Sequence, residues 1–188
     1  MNAALPSAGA RYVRLTAGPG PGHTGRVFEA KPLPTGDKPA LYAELAQQLQ
    51  GLLAGETDFI ANTANAAALI YHALPDLNWA GFYRLTGNEL ILGPFQGKPA
   101  CVRLKLGKGV CGTAAATRQT VVVANVHQFA GHIACDAASN SEIVVPIIKD
   151  GQLFGVLDLD SPKLNRFDAA DQAGLERLVA VLVGATRF

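Results

Sequence analysis

From residue 40 onward, apolar positions recur with two distinct periods. In LYAELAQQLQGLLAG, residues 41–55, Leu41, Leu45, Leu49 and Leu52 return near every fourth position and share one face of a helix. Glu56 to Leu74 reads as a second helix with Phe59, Ala66, Leu69 and Ile70 inward, ended by Pro75-Asp76. The pattern then shortens. WAGFYRL, ELILG, CVRLKL, TVVVA, SEIVVPII and QLFGVLDLD are short runs rich in β-branched and aromatic residues, the signature of strands. A short helical stretch, CGTAAATR, separates the third run from the fourth. A last helix starts at Asp168, where Asp171 completes an acidic capping pair, and directs Leu175, Leu178, Val179 and Leu182 inward.

Helices and strands do not alternate, and the last two strands are joined by a tight Lys149-Asp150-Gly151 connection. That order excludes a parallel doubly wound sheet and predicts an α+β fold, an antiparallel sheet with helices packed mainly on one face. Residues 1–39 differ in texture, with six Pro and six Gly. They read as an extended arm in front of a domain spanning 40–188, and within them RYVRL and RVFEA are candidates for a hairpin or for an arm exchanged in a dimer.

Charge and cysteine usage narrow the function. The 188 residues carry 16 Lys+Arg against 15 Asp+Glu, a net charge of +1, so no electrostatic footprint for nucleic acid or a membrane surface is present. No apolar run approaches the ~20 residues of a membrane helix. The first fifteen residues lack a secretory core, and although they hold two arginines and no acid precedes Glu29, the expected location is cytoplasmic. Cys101, Cys111 and Cys135 form an odd set without CxxC, which argues against both a structural disulfide framework and a zinc site. They are either inert buried thiols or reactive ones.

Three constellations offer chemistry. On WAGFYRL, Trp79, Gly81 and Tyr83 fall on one side, leaving a notch between two aromatic walls. On GVLDLD, Asp158 and Asp160 share a face, and a short hairpin brings Glu142 beside them; three carboxylates at one mouth suit an ammonium group or, with a raised pKa, a proton donor. The long segment NVHQFAGHIACDAASNS carries His127, His132 and Cys135; in a helical turn His132 would neighbour Cys135 and favour its thiolate. Cys111 opens a helix near Lys108, and on electrostatics alone it is the candidate nucleophile.

Together, NWAGFYRL, LGPFQGKPACVRLKLGKGVCG, NVHQFAGHIACDAASNSEIVVPI and GVLDLDSP…RFD resemble the free methionine-R-sulfoxide reductases, single GAF-fold enzymes. The similarity runs from about Leu41 to Leu182 and leaves the arm outside. It implies that Cys135 attacks the sulfoxide sulfur, that Cys101 resolves the sulfenic acid as a disulfide, and that Cys111 is an auxiliary thiol or alternative resolver, against the electrostatic ranking. It also implies that Glu142, Asp158 and Asp160 bind the substrate ammonium or polarise the sulfoxide oxygen. Trp79 and Tyr83 would wall the methyl group, and backbone N–H groups around Ile133, Ala134 and Cys135 would hold the carboxylate. No bound cofactor is implied. Free methionine-R-sulfoxide and an external thioredoxin are the implied partners, and a homodimer the implied assembly. The alternative is a non-catalytic GAF module that senses a small ligand.

Overall fold

The computed structural model describes residues 33–188 except Thr35 and Ala134. The hairpin and exchanged-arm readings of residues 11–30 lie outside the described residues. Helix α1 (Lys38–Leu52) starts where the Asp37 side chain accepts from Ala40 N at 3.1 Å, and α2 (Phe59–Ala73) starts at Asp58, which accepts from Ala61 N at 2.8 Å. That cap sets the second helix three residues later than the hydrophobic pattern predicts. The strands are β1 (Trp79–Thr86), β2 (Glu89–Gly97), β3 (Arg103–Lys105), β4 (Val121–Val123), β5 (Ser141–Lys149) and β6 (Gln152–Ser161), with α3 (Gly109–Thr117) after β3. Helix α4 (Ala169–Ala185) carries the expected Asp168–Asp171 capping box.

The strands form one sheet of order β3-β2-β1-β6-β5-β4, and every described neighbour pair is antiparallel. The β5–β6 turn places Asp150 at φ 51° and Gly151 at φ 75°, the two left-handed residues of a type I′ turn whose twist matches its strands. Pro146 is tolerated in β5 because β4 pairs only as far as Val144, which leaves the following backbone without a partner on that side. Strand β2 runs past the expected ELILG segment to Gly97, because the register shift between Gly81 and Tyr83 absorbs Gly93 and Pro94 as a bulge. Strand β3 is shorter than expected, since Cys101 and Val102 leave the sheet before Arg103.

Side-chain alternation gives the sheet two unlike faces. One face, with Ala80, Phe82, Ile143, Val145, Leu157 and Leu159, packs against Tyr42, Leu45 and Leu49 of α1, Ala66 and Ile70 of α2, and Leu175, Leu178 and Leu182 of α4. Each fully buried Leu or Ile there contributes about 1.5–3 kcal/mol. The α+β expectation therefore holds, with three of the four α-helices on this face. Within α2, Asn62 and Thr63 are buried where only apolar residues are expected; Asn62 Nδ2 donates to Thr186 Oγ1 at 3.0 Å and Thr63 Oγ1 to Phe59 O at 2.6 Å. The opposite face carries Trp79, Tyr83, Val144 and Val156 and is covered by α3 and the 124–141 segment.

One buried acid ties the helices together. Asp171, 1% exposed, accepts from Tyr42 Oη at 2.9 Å and Arg166 Nη1 at 3.1 Å, and Lys38 pairs with it as well. Asp171→Ala leaves the Tyr42 hydroxyl and the Arg166 guanidinium without their buried partner and should cost about 3 kcal/mol of stability. Urea unfolding followed by circular dichroism measures this; a loss under about 1 kcal/mol would show the network to be dispensable.

Candidate active site

Strand register assembles the site in two adjacent rows. In one, Trp79 of β1 lies opposite Asp160 of β6, which lies opposite Glu142 of β5. In the next, Phe95 of β2 lies opposite Gly81, Gly81 opposite Asp158, and Asp158 opposite Val144. Neighbouring strands are about 4.8 Å apart, so residues far apart in sequence become side-chain neighbours on one face. The rings of Tyr83, Trp79 and Phe95 form a stack with Trp79 in the middle, its centroid 5.8 Å from Tyr83 and 5.4 Å from Phe95. Gly81 makes room for it: a Cβ there would run into Phe95 and the Trp79 ring. The open notch expected between Trp79 and Tyr83 is instead filled by the Trp79 ring, which lies over Gly81 between Tyr83 and Phe95; Phe95, whose strand-internal position gave no signal beyond hydrophobicity, backs that ring.

The three carboxylates line one cavity with Trp79, Tyr83 and Cys111. Glu142 and Asp158 are each 6% exposed. Burial pushes the Asp158 carboxyl up to about 7, while hydrogen bonds with Cys111 and Glu142 pull the other way. Burial first, then the charges of Asp158 and Asp160, holds Glu142 well above the usual carboxylate range; burial and Asp158 do the same to Asp160. Each of the three carboxyls is therefore pushed toward its protonated form. Asp158 Oδ1 and Trp79 Nε1–H are buried without a hydrogen-bond partner, an acceptor and a donor each costing about 1–3 kcal/mol unless a polar ligand meets them. Cys111 Sγ and one carboxylate oxygen each of Glu142 and Asp158 lie within 4.8 Å of one another, a spacing that suits a cation, metal or ammonium.

The cysteines fall into two environments. Cys101 and Cys135 are joined as a disulfide with their Cα atoms 5.5 Å apart; both are half-buried, and Cys135 lines the cavity. Tyr83 Oη donates to Cys101 O at 3.0 Å, tying the aromatic wall to the β2–β3 connection that presents one sulfur. Cys111, in contrast, is a buried free thiol. The expectation that its helix N-terminus and Lys108 make it the best thiolate is overturned: burial, followed by the charges of Asp158 and Glu142, pushes its pKa well up. It instead approaches Glu142 Oε1 at 3.9 Å as a sulfur donor.

The 124–141 segment folds over the cavity by hydrogen bonds at its base. Val126 N donates to Asn140 O at 3.0 Å, and His127 Nε2 and Asn140 Oδ1 are 2.9 Å apart, which makes His127 structural. Asn78 Nδ2 donates to Ser139 Oγ at 3.0 Å and to Asp136 Oδ2 at 3.2 Å, anchoring the segment beside Trp79. His132 does not sit in a helix: residues 131–133 and 135–140 are turns, bends and irregular backbone, and its Nε2 lies 3.8 Å from Glu142 Oε2. Burial lowers the His132 pKa, so a neutral ring faces the acid cluster. Ile133, 40% exposed, lines the cavity mouth with its side chain against Gly109; Ala134 lies outside the described residues. Asn78 and Ser139 are the site residues the sequence reading missed, since their role depends on where the segment's ends meet the sheet.

Comparison with known proteins agrees with this geometry. A GAF domain family model matches residues 41–186. The chain is 55% identical over 146 residues to free methionine-R-sulfoxide reductase of Escherichia coli (strain K12), a match covering 78% of this chain and 88% of that protein. It is 46% identical over 154 residues to free methionine-R-sulfoxide reductase of Saccharomyces cerevisiae, covering 78% and 86%. The X-ray structure of free methionine-R-sulfoxide reductase from Neisseria meningitidis in complex with its substrate superposes with a TM-score of 0.78 at 45% identity, covering 81% of this chain and 92% of that one.

The raised Asp158 pKa has a consequence for stability. Between its ordinary 3.8 and about 7 the folded state keeps a proton that the unfolded chain has released, so stability falls as pH rises through that window. Asp158→Asn removes this penalty. The variant should unfold at higher urea concentration than wild type at pH 8 and at nearly the same concentration at pH 4. Equal midpoints at pH 8 would mean that burial does not penalise this carboxylate.

Proposed function

Since the chain belongs to the free methionine-R-sulfoxide reductases, a family of GAF domains, we propose that it reduces free L-methionine-(R)-sulfoxide to methionine with its own thiols. The observation that carries this reading is the Cys101–Cys135 disulfide at the mouth of a cavity with aromatic walls and a buried acid cluster. A free amino acid brings the ammonium that Glu142, Asp158 and Asp160 lack; its arrival relieves their mutual repulsion and displaces a proton. The carboxylate takes backbone N–H groups around Ile133, Ala134 and Cys135, and the methyl group lies against Trp79 and Tyr83. A peptide-linked methionine sulfoxide has neither charged end at its α-carbon, so it leaves the buried acids unpaired.

A sulfoxide sulfur is a weak electrophile until its oxygen is hydrogen-bonded or protonated. A carboxyl of the cluster that retains its proton at neutral pH is the donor this requires. The Cys135 thiolate then attacks the sulfur, the S–O bond is transferred, and methionine leaves a cysteine sulfenic acid behind. Cys101 attacks that sulfenic sulfur, water departs, and the disulfide forms. Cys111 serves as an auxiliary thiol that holds Glu142 in place, not as a thiolate. An external thioredoxin restores both cysteines, which fits the reducing setting of the cytoplasm.

The test is NADPH consumption with free methionine sulfoxide, thioredoxin and thioredoxin reductase. Wild type should consume the R epimer and leave the S epimer, because one rigid cavity presents only one sulfur face to Cys135. Cys135→Ser should fall to background. Cys101→Ser should release one methionine per chain and accumulate a sulfenic acid that dimedone captures. Binding without NADPH consumption by wild type would favour a ligand-sensing GAF module instead.

A further inference from the structure

Each turnover in this reading leaves Cys101 and Cys135 joined, and the electrons that separate them must arrive across the protein surface. The surface beside Cys101 has an unusual composition. Val102, adjacent to it in the chain, is 62% exposed, more than any other large hydrophobic residue described. Lys98, Arg103, Lys105 and Lys108 all lie within seven residues of Cys101, and no acid occurs from residue 90 to residue 108. Two of these cations are matched, Lys98 to Asp136 at 3.4 Å and Arg103 to Glu89 at 3.1 Å, while Lys105 and Lys108 are exposed. Arg103 and Lys105 lie on β3, one of the two edge strands of the sheet, with Lys105 opposite Glu89 of β2. An exposed valine beside a half-buried disulfide, bordered by cations at a sheet edge, is a surface suited to a macromolecule and irrelevant to a small thiol.

We propose that Val102, with Arg103 and Lys105 around it, is the docking surface for a protein dithiol reductant whose nucleophilic cysteine lies in an apolar patch bordered by acidic residues. The inference rests on the reductase reading. Its thiolate attacks the Cys101 sulfur, which Tyr83 helps to fix through the Cys101 carbonyl. The Cys101–Cys135 bond breaks as the mixed disulfide forms, and Cys135 leaves as a thiolate and takes up a proton. The reductant's second thiol then attacks its own bridging sulfur and releases Cys101, so the partner departs as a disulfide after delivering two electrons and two protons. Apolar contact at Val102 supplies affinity, and the cationic border supplies steering that salt screens.

The experiment compares two reductants on the full chain, Escherichia coli thioredoxin with its reductase and dithiothreitol. Val102→Glu and Arg103→Glu should each lower kcat/KM for thioredoxin by about tenfold or more, which corresponds to about 1.4 kcal/mol of lost complementarity. Turnover supported by dithiothreitol should stay within about twofold of wild type, as should the KM for the sulfoxide. Raising the salt concentration should weaken the thioredoxin-supported rate alone. Ile60→Glu introduces the same charge at an exposed position of α2, on the far side of the sheet, and should change neither rate. Loss of both rates in parallel, or of neither, overturns the docking surface while the reductase reading stands. Absence of wild-type turnover with either reductant overturns both.

Discussion

The gathering of buried Glu142 and Asp158 with half-buried Asp160 on one face of two paired strands is the constraint around which the rest of the molecule is arranged. Three carboxylates at that spacing repel when ionised and are costly to desolvate, so each is pushed toward its protonated form and Asp158 Oδ1 is left without a partner. A surface site would avoid the cost but lose the chemistry, because an exposed carboxyl gives up its proton long before neutral pH. The arrangement persists because antiparallel pairing holds the backbone of β1, β5 and β6 in register whatever the side chains prefer.

The two faces of the sheet divide the energetic work. Tyr42, Leu45, Leu49, Ile70, Leu175 and Leu182 pack one face with an apolar core closed by the Asp171 network. The other face then tolerates buried acids, an unpartnered indole N–H and a protonated thiol. Stability bought on one side underwrites strain on the other, the usual relation between a scaffold and its active site.

The sulfur atoms follow the same logic. Cys111 is buried against the acids and held as a thiol, while Cys135, half-buried, lines the cavity and is bonded to the half-buried Cys101. Cys111 at the start of α3 is held as a thiol because burial, with the charges of Asp158 and Glu142 added to it, outweighs a partial helix charge. The docking surface proposed at Val102 would extend that division outward, with substrate meeting the acids and electrons arriving beside Cys101.

Much of this was legible in the chain alone. Period-two alternation placed Trp79 with Tyr83 and Asp158 with Asp160, the Asp150-Gly151 turn brought Glu142 alongside them, and apolar spacing defined α1 and the buried face of α4. These are local properties, written in a few consecutive residues. Tertiary structure alone decided the rest. The packing of Phe95 on Trp79 depends on a bulge that reaches across to Gly81; the anchoring of the 124–141 segment depends on Asn78, just before β1 and far away in the chain, meeting Ser139. The proton on Cys111 depends on carboxylates contributed by two other strands. Long-range register and desolvation are sums over neighbours that sequence order does not record, so the chemistry of each group was fixed only once the sheet had closed.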